Sequence, residues 1–426
     1  MKMKIYENAA AAKDILARGG FEDEKIAKSV KEIVAALRDG GDRALFAYSE
    51  KFDGSVLDAD TVAVSEEEIE AAYVALDPAL LASMKKAAEN VLSYHSRSPL
   101  KEDIRTENGR TTGYTVRPVE RAGIYVPGGT APLFSSVLMG VLPAKAAGVP
   151  HIYVATPAKA GKIAPAIIAA AHLCGAEKIF KTGGAQAIAA FAYGTESIPK
   201  VDVIAGPGNI YVTLAKKEVY GKVGIDMLAG PSEILIIADK EQNPVHVAAD
   251  VLSQAEHDRR ARALLLTNDR EFAEKVQAET ERQLALLPRA EIASFAVENA
   301  GGIILVKDMK EACALANEIA PEHLELAVKD PEALLPEIRN AGAVFMGGFT
   351  PEPVGDYFAG PDHTLPTGGT ARFFEVLNQD IFLRKMSVIR YTEKAVREDA
   401  EDIVRLAEAE GLFAHANAVR LRAKGE

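Results

Sequence analysis

A mainly parallel α/β fold, doubly wound and divided into two domains, is what this sequence predicts, and three observations carry it. Short apolar runs alternate with segments of helical periodicity from Ala122 onward, the signature of βα units that feed a parallel sheet. Three of the runs end in turns permissive to unusual backbone: PGG at 127–129, GG at 183–184 and GPG at 206–208. Finally, 426 residues exceed what one simple core usually holds.

Taken in order, residues 1–15 read as a small helical arm. Helical patterns follow over 26–37, 65–76 and 78–95, each with a charged, solvated face, and 111–117 alternates like a strand. A first set of strands is expected at 123–126, 152–155, 178–181, 201–204 and 233–238. A second set is expected at 263–266, 302–306, 324–328 and 343–346. The expected division is one α/β domain built from 16–123 and 234–380, a second α/β domain inserted at 124–233, and a C-terminal segment at 381–426. That segment reads as helical after Met386.

Composition narrows the function classes. A hydrophobic fraction of 48% and a charged fraction of 26% are those of an ordinary soluble protein. The net charge of −12, with no long basic run, argues against nucleic acid or an anionic membrane as partner. The two cysteines, Cys174 and Cys313, provide neither a disulfide framework nor a thiolate zinc site. The N-terminus lacks an apolar core followed by a cleavage site, and no stretch reaches the roughly 18–20 apolar residues of a membrane span. A cytoplasmic enzyme is the expectation.

Several residues could carry chemistry. In SQAEH (253–257), Gln254 and His257 stand three apart and share one helical face. A carboxamide oxygen and an imidazole aimed together make half of an N/O metal site, although a polar helix end would look the same. Tyr125, Gln186 and Asn209 flank the three glycine turns and are expected at one sheet edge. Backbone N–H groups there can approach a pyrophosphate, or the glycines can simply make tight turns; no GxGxxG is present. In APEH (320–323), Pro321 ends a helix and sets Glu322 and His323 in a bend before a strand, a pairing suited to acid–base work.

The polar connection 347–369 is long enough to suggest function and holds Asp356 and His363. Ile403, Leu406 and Ala407 form an apolar stripe that Glu410 continues, with His415 beyond Gly411. His151 and His172 look structural, and His95 and His246 look like exposed helix residues.

The stretches RAGIYVPGGTAPLFSSVLM, GGAQAIAA, GPGNIYV, AGPSEILIIAD, SQAEH, APEHLEL, VGDY, HTLPT and EGLFAH occur in this order. With them the chain resembles the histidinol dehydrogenase family over essentially its whole length. The resemblance implies a zinc-requiring, NAD-dependent homodimer that oxidises L-histidinol to L-histidine in two hydride transfers. It further implies an aldehyde-dehydrogenase-like fold with incomplete Rossmann-like domains, the inserted one binding NAD. Mapped by motif, Gln254, His257, Asp356 and His415 would hold Zn2+, and Glu322 and His323 would be the catalytic pair. Ser232, Gln254, His257, His323, Asp356, His363, Glu410 and His415 would contact substrate, and Tyr125, Gln186 and Asn209 would bind NAD+. The C-terminal segment would complete the partner subunit's site. The alternatives are a paralogue oxidising another polar alcohol, such as a sulfonated diol, and a non-catalytic two-domain binding protein.

Overall fold

The computed structural model describes residues 3–17, 23–97, 100–128 and 132–425. Gly129, which closes the PGG turn, lies outside them. The chain forms two compact units: Met1–Arg97 with Glu120–Phe382, and Ser98–Val119 with Leu383–Glu426.

In chain order the strands are β1 (Ile5–Tyr6), β2 (Asp103–Glu107), β3 (Arg110–Pro118), β4 (Arg121–Tyr125), β5 (His151–Ala155), β6 (Lys178–Phe180) and β7 (Val203–Ala205). They continue as β8 (Gly224–Ile225), β9 (Glu233–Ala238), β10 (Arg262–Thr267), β11 (Gly302–Leu305), β12 (His323–Ala327), β13 (Ala343–Met346) and β14 (Leu383–Tyr391). The first unit holds two wholly parallel sheets, ordered β6-β5-β4-β7-β8 and β1-β11-β10-β9-β12-β13. Both are doubly wound. On β9, Ile234, Ile236 and Ala238 pack with Val247 and Val251 of the helix Pro244–Ala255. Leu235 and Ile237 face the other way, onto Cys313 and Ala316 of the helix Met309–Ile319. A strand buried on both faces reads as an unbroken apolar run, which is why EILIIA carries no alternation.

The order reverses between β4 and β7 in one sheet and between β9 and β12 in the other. In the first sheet this puts Pro127–Gly128 and the GPG turn side by side at the carboxyl ends of β4 and β7, where open α/β sheets bind ligands. The second sheet uses its opposite edge. Ser232 precedes β9 and Glu322 precedes β12, both at amino ends. The helix Pro244–Ala255 runs back after β9, so its last turn, with Gln254 and then His257, returns to that edge.

Four expectations change. β9 sits inside the six-stranded sheet, so the whole run 233–238 groups with the second set of strands, and Glu233 falls one residue before the expected boundary at 234. Part of the N-terminal arm is a strand, Ile5–Tyr6, paired with β11; two residues are too short a run to register as a pattern. Residues 383–391 are β14, paired antiparallel with β3 from Leu383↔Pro118 to Tyr391↔Arg110, a partner too distant in sequence for local periodicity to reveal. His95 is buried, not exposed: with Met84, Ala87 and Val91 it completes the inward stripe of the helix Pro78–His95.

In the second unit, β14-β3-β2 form an antiparallel sheet, followed by the helices Glu393–Ala409 and Phe413–Lys424. Arg110 of β3 makes a two-pronged ion pair with Asp399 of the first of these helices, at 2.8 and 2.6 Å.

Candidate active site

Two cavities share the turns at the edge of the five-stranded sheet. The larger, about 680 Å3, is lined by Tyr125, Gly128, Gln186, Asn209 and Asp53 among others. Its walls are built by hydrogen bonds. The Gly184 N–H donates to the Tyr125 hydroxyl at 3.1 Å, and Gln186 Nε2 donates to Asp53 at 3.4 Å. Burial pushes the Tyr125 phenol up to about 12, so it stays a proton donor. Asn209 caps the helix Ile210–Val219, accepting from the Tyr211 and Val212 N–H groups. Beneath the GPG turn, Lys216 and Asp226 form a buried ion pair. Asp226 accepts the Gly206 N–H at 2.8 Å, and Lys216 donates to the Gly206 carbonyl at 3.1 Å. Gly206 has φ of 115°, and a Cβ there would lie 2.1 Å from the Tyr125 carbonyl oxygen, so this turn requires glycine.

The smaller cavity, about 250 Å3, lies between the two sheets. Pro127 and Gly208 line one side; Ser232, His257, Glu322, His323, Asp356 and His363 line the other. Six of the expected site residues therefore meet in one place. His257, Glu352 and Asp356 present ligand atoms all within 4.8 Å of one another. Two carboxylates that close repel by on the order of 4 kcal/mol at an effective dielectric near 20, and a bound cation removes that cost. Glu352 and Asp356 are one turn apart on the helix Glu352–Tyr357. Burial pushes Glu352 up to about 7. At Asp356 burial also pushes upward, but the imidazoles of His323, His363 and His257 outweigh it and hold this carboxyl below its usual range. Gln254 is fully buried; with its carboxamide turned so that the oxygen meets donors and the nitrogen meets acceptors, the nitrogen donates to the Glu352 oxygens at 2.6 and 3.1 Å.

His323 and Glu322 sit where the Ala320 turn, in the left-handed region, swings the chain from a helix into β12. His323 Nδ1 lies 3.1 Å from the Glu233 carbonyl, which as an acceptor fixes the proton on Nδ1. Nε2 is left buried with no hydrogen-bond partner, 3.7 Å from both Glu352 and Asp356. An unsatisfied buried nitrogen costs about 1–3 kcal/mol, so one aimed into a cavity marks a functional site. Burial pulls His323 down, but the carboxylates of Glu322, Glu352 and Asp356 more than offset it and hold it up at about 10. Glu322 accepts the Glu233 N–H at 2.8 Å, and burial raises it to about 8. His363 donates Nδ1–H to the Asp356 carbonyl at 2.9 Å, and burial lowers its affinity for a second proton.

Comparison with known proteins shows the family. The histidinol dehydrogenase family profile matches residues 16–423. The chain belongs to the histidinol dehydrogenase family, and so is an oxidoreductase. A histidinol dehydrogenase of Syntrophotalea carbinolica is 51% identical over 97% of this chain and 96% of its own length. One of Carboxydothermus hydrogenoformans is 49% identical over the whole of both. The crystal structure of the histidinol dehydrogenase of Elizabethkingia anophelis superposes with a TM-score of 0.94 at 40% identity, over 99% of this chain and 98% of that one.

Two residues of the expected histidinol dehydrogenase site, Glu410 and His415, belong to the second unit. There they line a cleft with Ile403, Leu406, Leu412 and Val419. The expected stripe is open in this chain: Leu406 is 70% exposed and Ile403 37%. Glu352 was not among the expected residues. Its signal was the Glu-x-x-x-Asp spacing after Pro351, which a reading centred on VGDY passes over. The cysteines lie apart from the site. Cys174 and Cys313 are buried in helices, and burial pushes the Cys174 thiol up to about 12. Neither offers a thiolate nucleophile. Cys174→Ala and Cys313→Ala should each keep turnover within about threefold of the parent protein. A steady-state assay showing a loss of ~100-fold, the scale of a catalytic group, would point instead to covalent catalysis by a cysteine, through a thiohemiacetal with the aldehyde.

Proposed function

We propose that this chain oxidises L-histidinol to L-histidine through L-histidinaldehyde, in two hydride transfers to NAD+, with one Zn2+ per subunit of a cytoplasmic homodimer. The observation that carries the reading is the small cavity. It gathers the His257–Glu352–Asp356 cluster and the Glu322–His323 pair beside the same turns that wall the larger one.

The donor set suits zinc: imidazole and carboxylate, without thiolate. His257 and Asp356 would hold it with the Gln254 carboxamide oxygen, and His415 would complete the set from the partner subunit. His257 also follows the carboxyl end of a twelve-residue helix, where the macrodipole favours a cation. Bound there, a dication would offset the carboxylate charge that keeps His323 protonated and give the substrate's amine and imidazole nitrogens a point of attachment. Tyr125, Gln186 and Asn209 would hold NAD+, which takes up the hydride of each oxidation, in the larger cavity.

The chain's own residues then divide the proton work. With Nδ1–H committed to the Glu233 carbonyl, His323 takes the alcohol proton on Nε2 as hydride leaves the carbon. Glu322, held by the Glu233 N–H, takes a proton from the water that attacks the aldehyde, and the resulting hydrate gives up the second hydride. Ser232, His363 and Glu410 serve as substrate contacts. The deciding experiment is NADH formation from L-histidinol before and after chelation. Activity should vanish with the metal and return with Zn2+. Absence of NADH with zinc-loaded protein overturns the substrate assignment, and full activity after complete metal removal overturns the metal.

A further inference from the structure

We propose that Glu352 is the positioning residue of the metal site: it grips the nitrogen of the Gln254 carboxamide and so turns the carboxamide oxygen to the cation. The inference rests on the metal reading above. A carboxamide has two ends of nearly equal shape, and only the oxygen is a ligand. Rotation by half a turn about the last side-chain bond would present N–H groups to a cation and forfeit the bond. An ionised carboxylate accepts hydrogen bonds and cannot donate them, so Glu352, ionised beside a bound cation, leaves the carboxamide a single permitted orientation with its nitrogen toward the carboxylate.

Glu352 has that geometry. In the carboxamide orientation that satisfies the surrounding donors and acceptors, its two oxygens take the Gln254 nitrogen at 2.6 and 3.1 Å, and the Ser253 hydroxyl lies 3.4 Å from one of them. It is 1% exposed and Gln254 is 0%, so water cannot substitute for either partner. Its own place is fixed from behind: the Glu352 N–H donates to Glu325 on β12 at 2.9 Å. Asp356, one turn further along the same helix, lines the cavity with His257 and Glu352 but is less buried than Glu352. The two carboxylates of the cluster thus divide the work: Asp356 ligates, and Glu352 orients the ligand supplied by Gln254. Outer carboxylates orient metal-bound histidines in the same way.

Zinc dissociation constants, measured on the full-length protein by competition with a chromophoric chelator, test this without reference to turnover. Glu352→Ala should weaken zinc binding about 10–100-fold. The double variant Gln254→Ala/Glu352→Ala should be no more than about threefold weaker than Gln254→Ala alone, because a residue that acts through another has nothing left to act on. Additive losses would make Glu352 a ligand in its own right and overturn the proposal, as would unchanged affinity in Glu352→Ala. Should the alanine variant fail to reach a native circular dichroism spectrum, Glu352→Gln decides. It keeps an acceptor oxygen for the Gln254 nitrogen and should hold zinc within about tenfold of the parent; a larger loss sinks the positioning role. A parent protein that binds no zinc would instead refute the metal reading itself, so the two failures are distinguishable.

Discussion

Glu322→Gln should slow oxidation of L-histidinaldehyde by about 10²–10⁴-fold, the scale of a general base, and slow oxidation of L-histidinol to the aldehyde by less than about tenfold. The substitution is close to isosteric, and the carboxamide oxygen it introduces can still accept the Glu233 N–H that positions the group, so the loss reports basicity and not folding. Single-turnover NADH formation from the alcohol and from the aldehyde separates the two steps. The pH dependence gives a second reading. Burial raises Glu322 to about 8, and a base works only after losing its proton. The aldehyde step of the parent protein should therefore rise through about pH 8, and this limb should be missing from the Glu322→Gln variant. Equal losses on both substrates, or an unchanged pH limb, would remove Glu322 from the water-activating role and leave His323 to serve both steps.

What the sequence disclosed, and what it withheld, follows from the range of the interactions involved. Parallel strands buried on both faces announce themselves as apolar runs, so β9 was legible to the residue and β4, β5, β10 and β12 to within one or two residues at their ends. β14 was not, because its partner β3 lies more than 260 residues away and its own residues, LRKMSVIRY, are mostly exposed and do not alternate cleanly. The Glu322–His323 pair could be picked out because Pro321 marks a local bend. The cavity's odd position, at the amino edge of one sheet and the carboxyl edge of the other, could not. It depends on how β9 and its returning helix meet the GPG turn. Glu352 was missed for a related reason. Its partner Gln254 stands 98 positions earlier in the chain, and a buried carboxylate looks like any surface glutamate until its surroundings are known. The same blindness made His95 look exposed.

Mixing His257→Ala subunits with His415→Ala subunits should restore activity that neither variant has alone. The second unit motivates the expectation. In its two helices, Glu393–Ala409 and Phe413–Lys424, Ala395 and Ala416 are the buried residues, while Ile403, Leu406, Leu412 and Phe413 are exposed. An apolar face of that extent calls for a covering surface, and Glu410 and His415 stand within it. If that surface is the partner subunit, each site takes His257 from one chain and His415 from the other. A dimer with a two-fold axis then has two such sites. In the heterodimer of the two variants, one site carries both substitutions and the other carries neither. The intact site should turn over at about half the activity of the parent dimer and bind about one zinc per dimer, against two in the parent. If each site is built within one chain, every site keeps one defect and mixing recovers nothing. Native mass spectrometry to confirm the heterodimer, with elemental analysis for zinc, makes either result decisive.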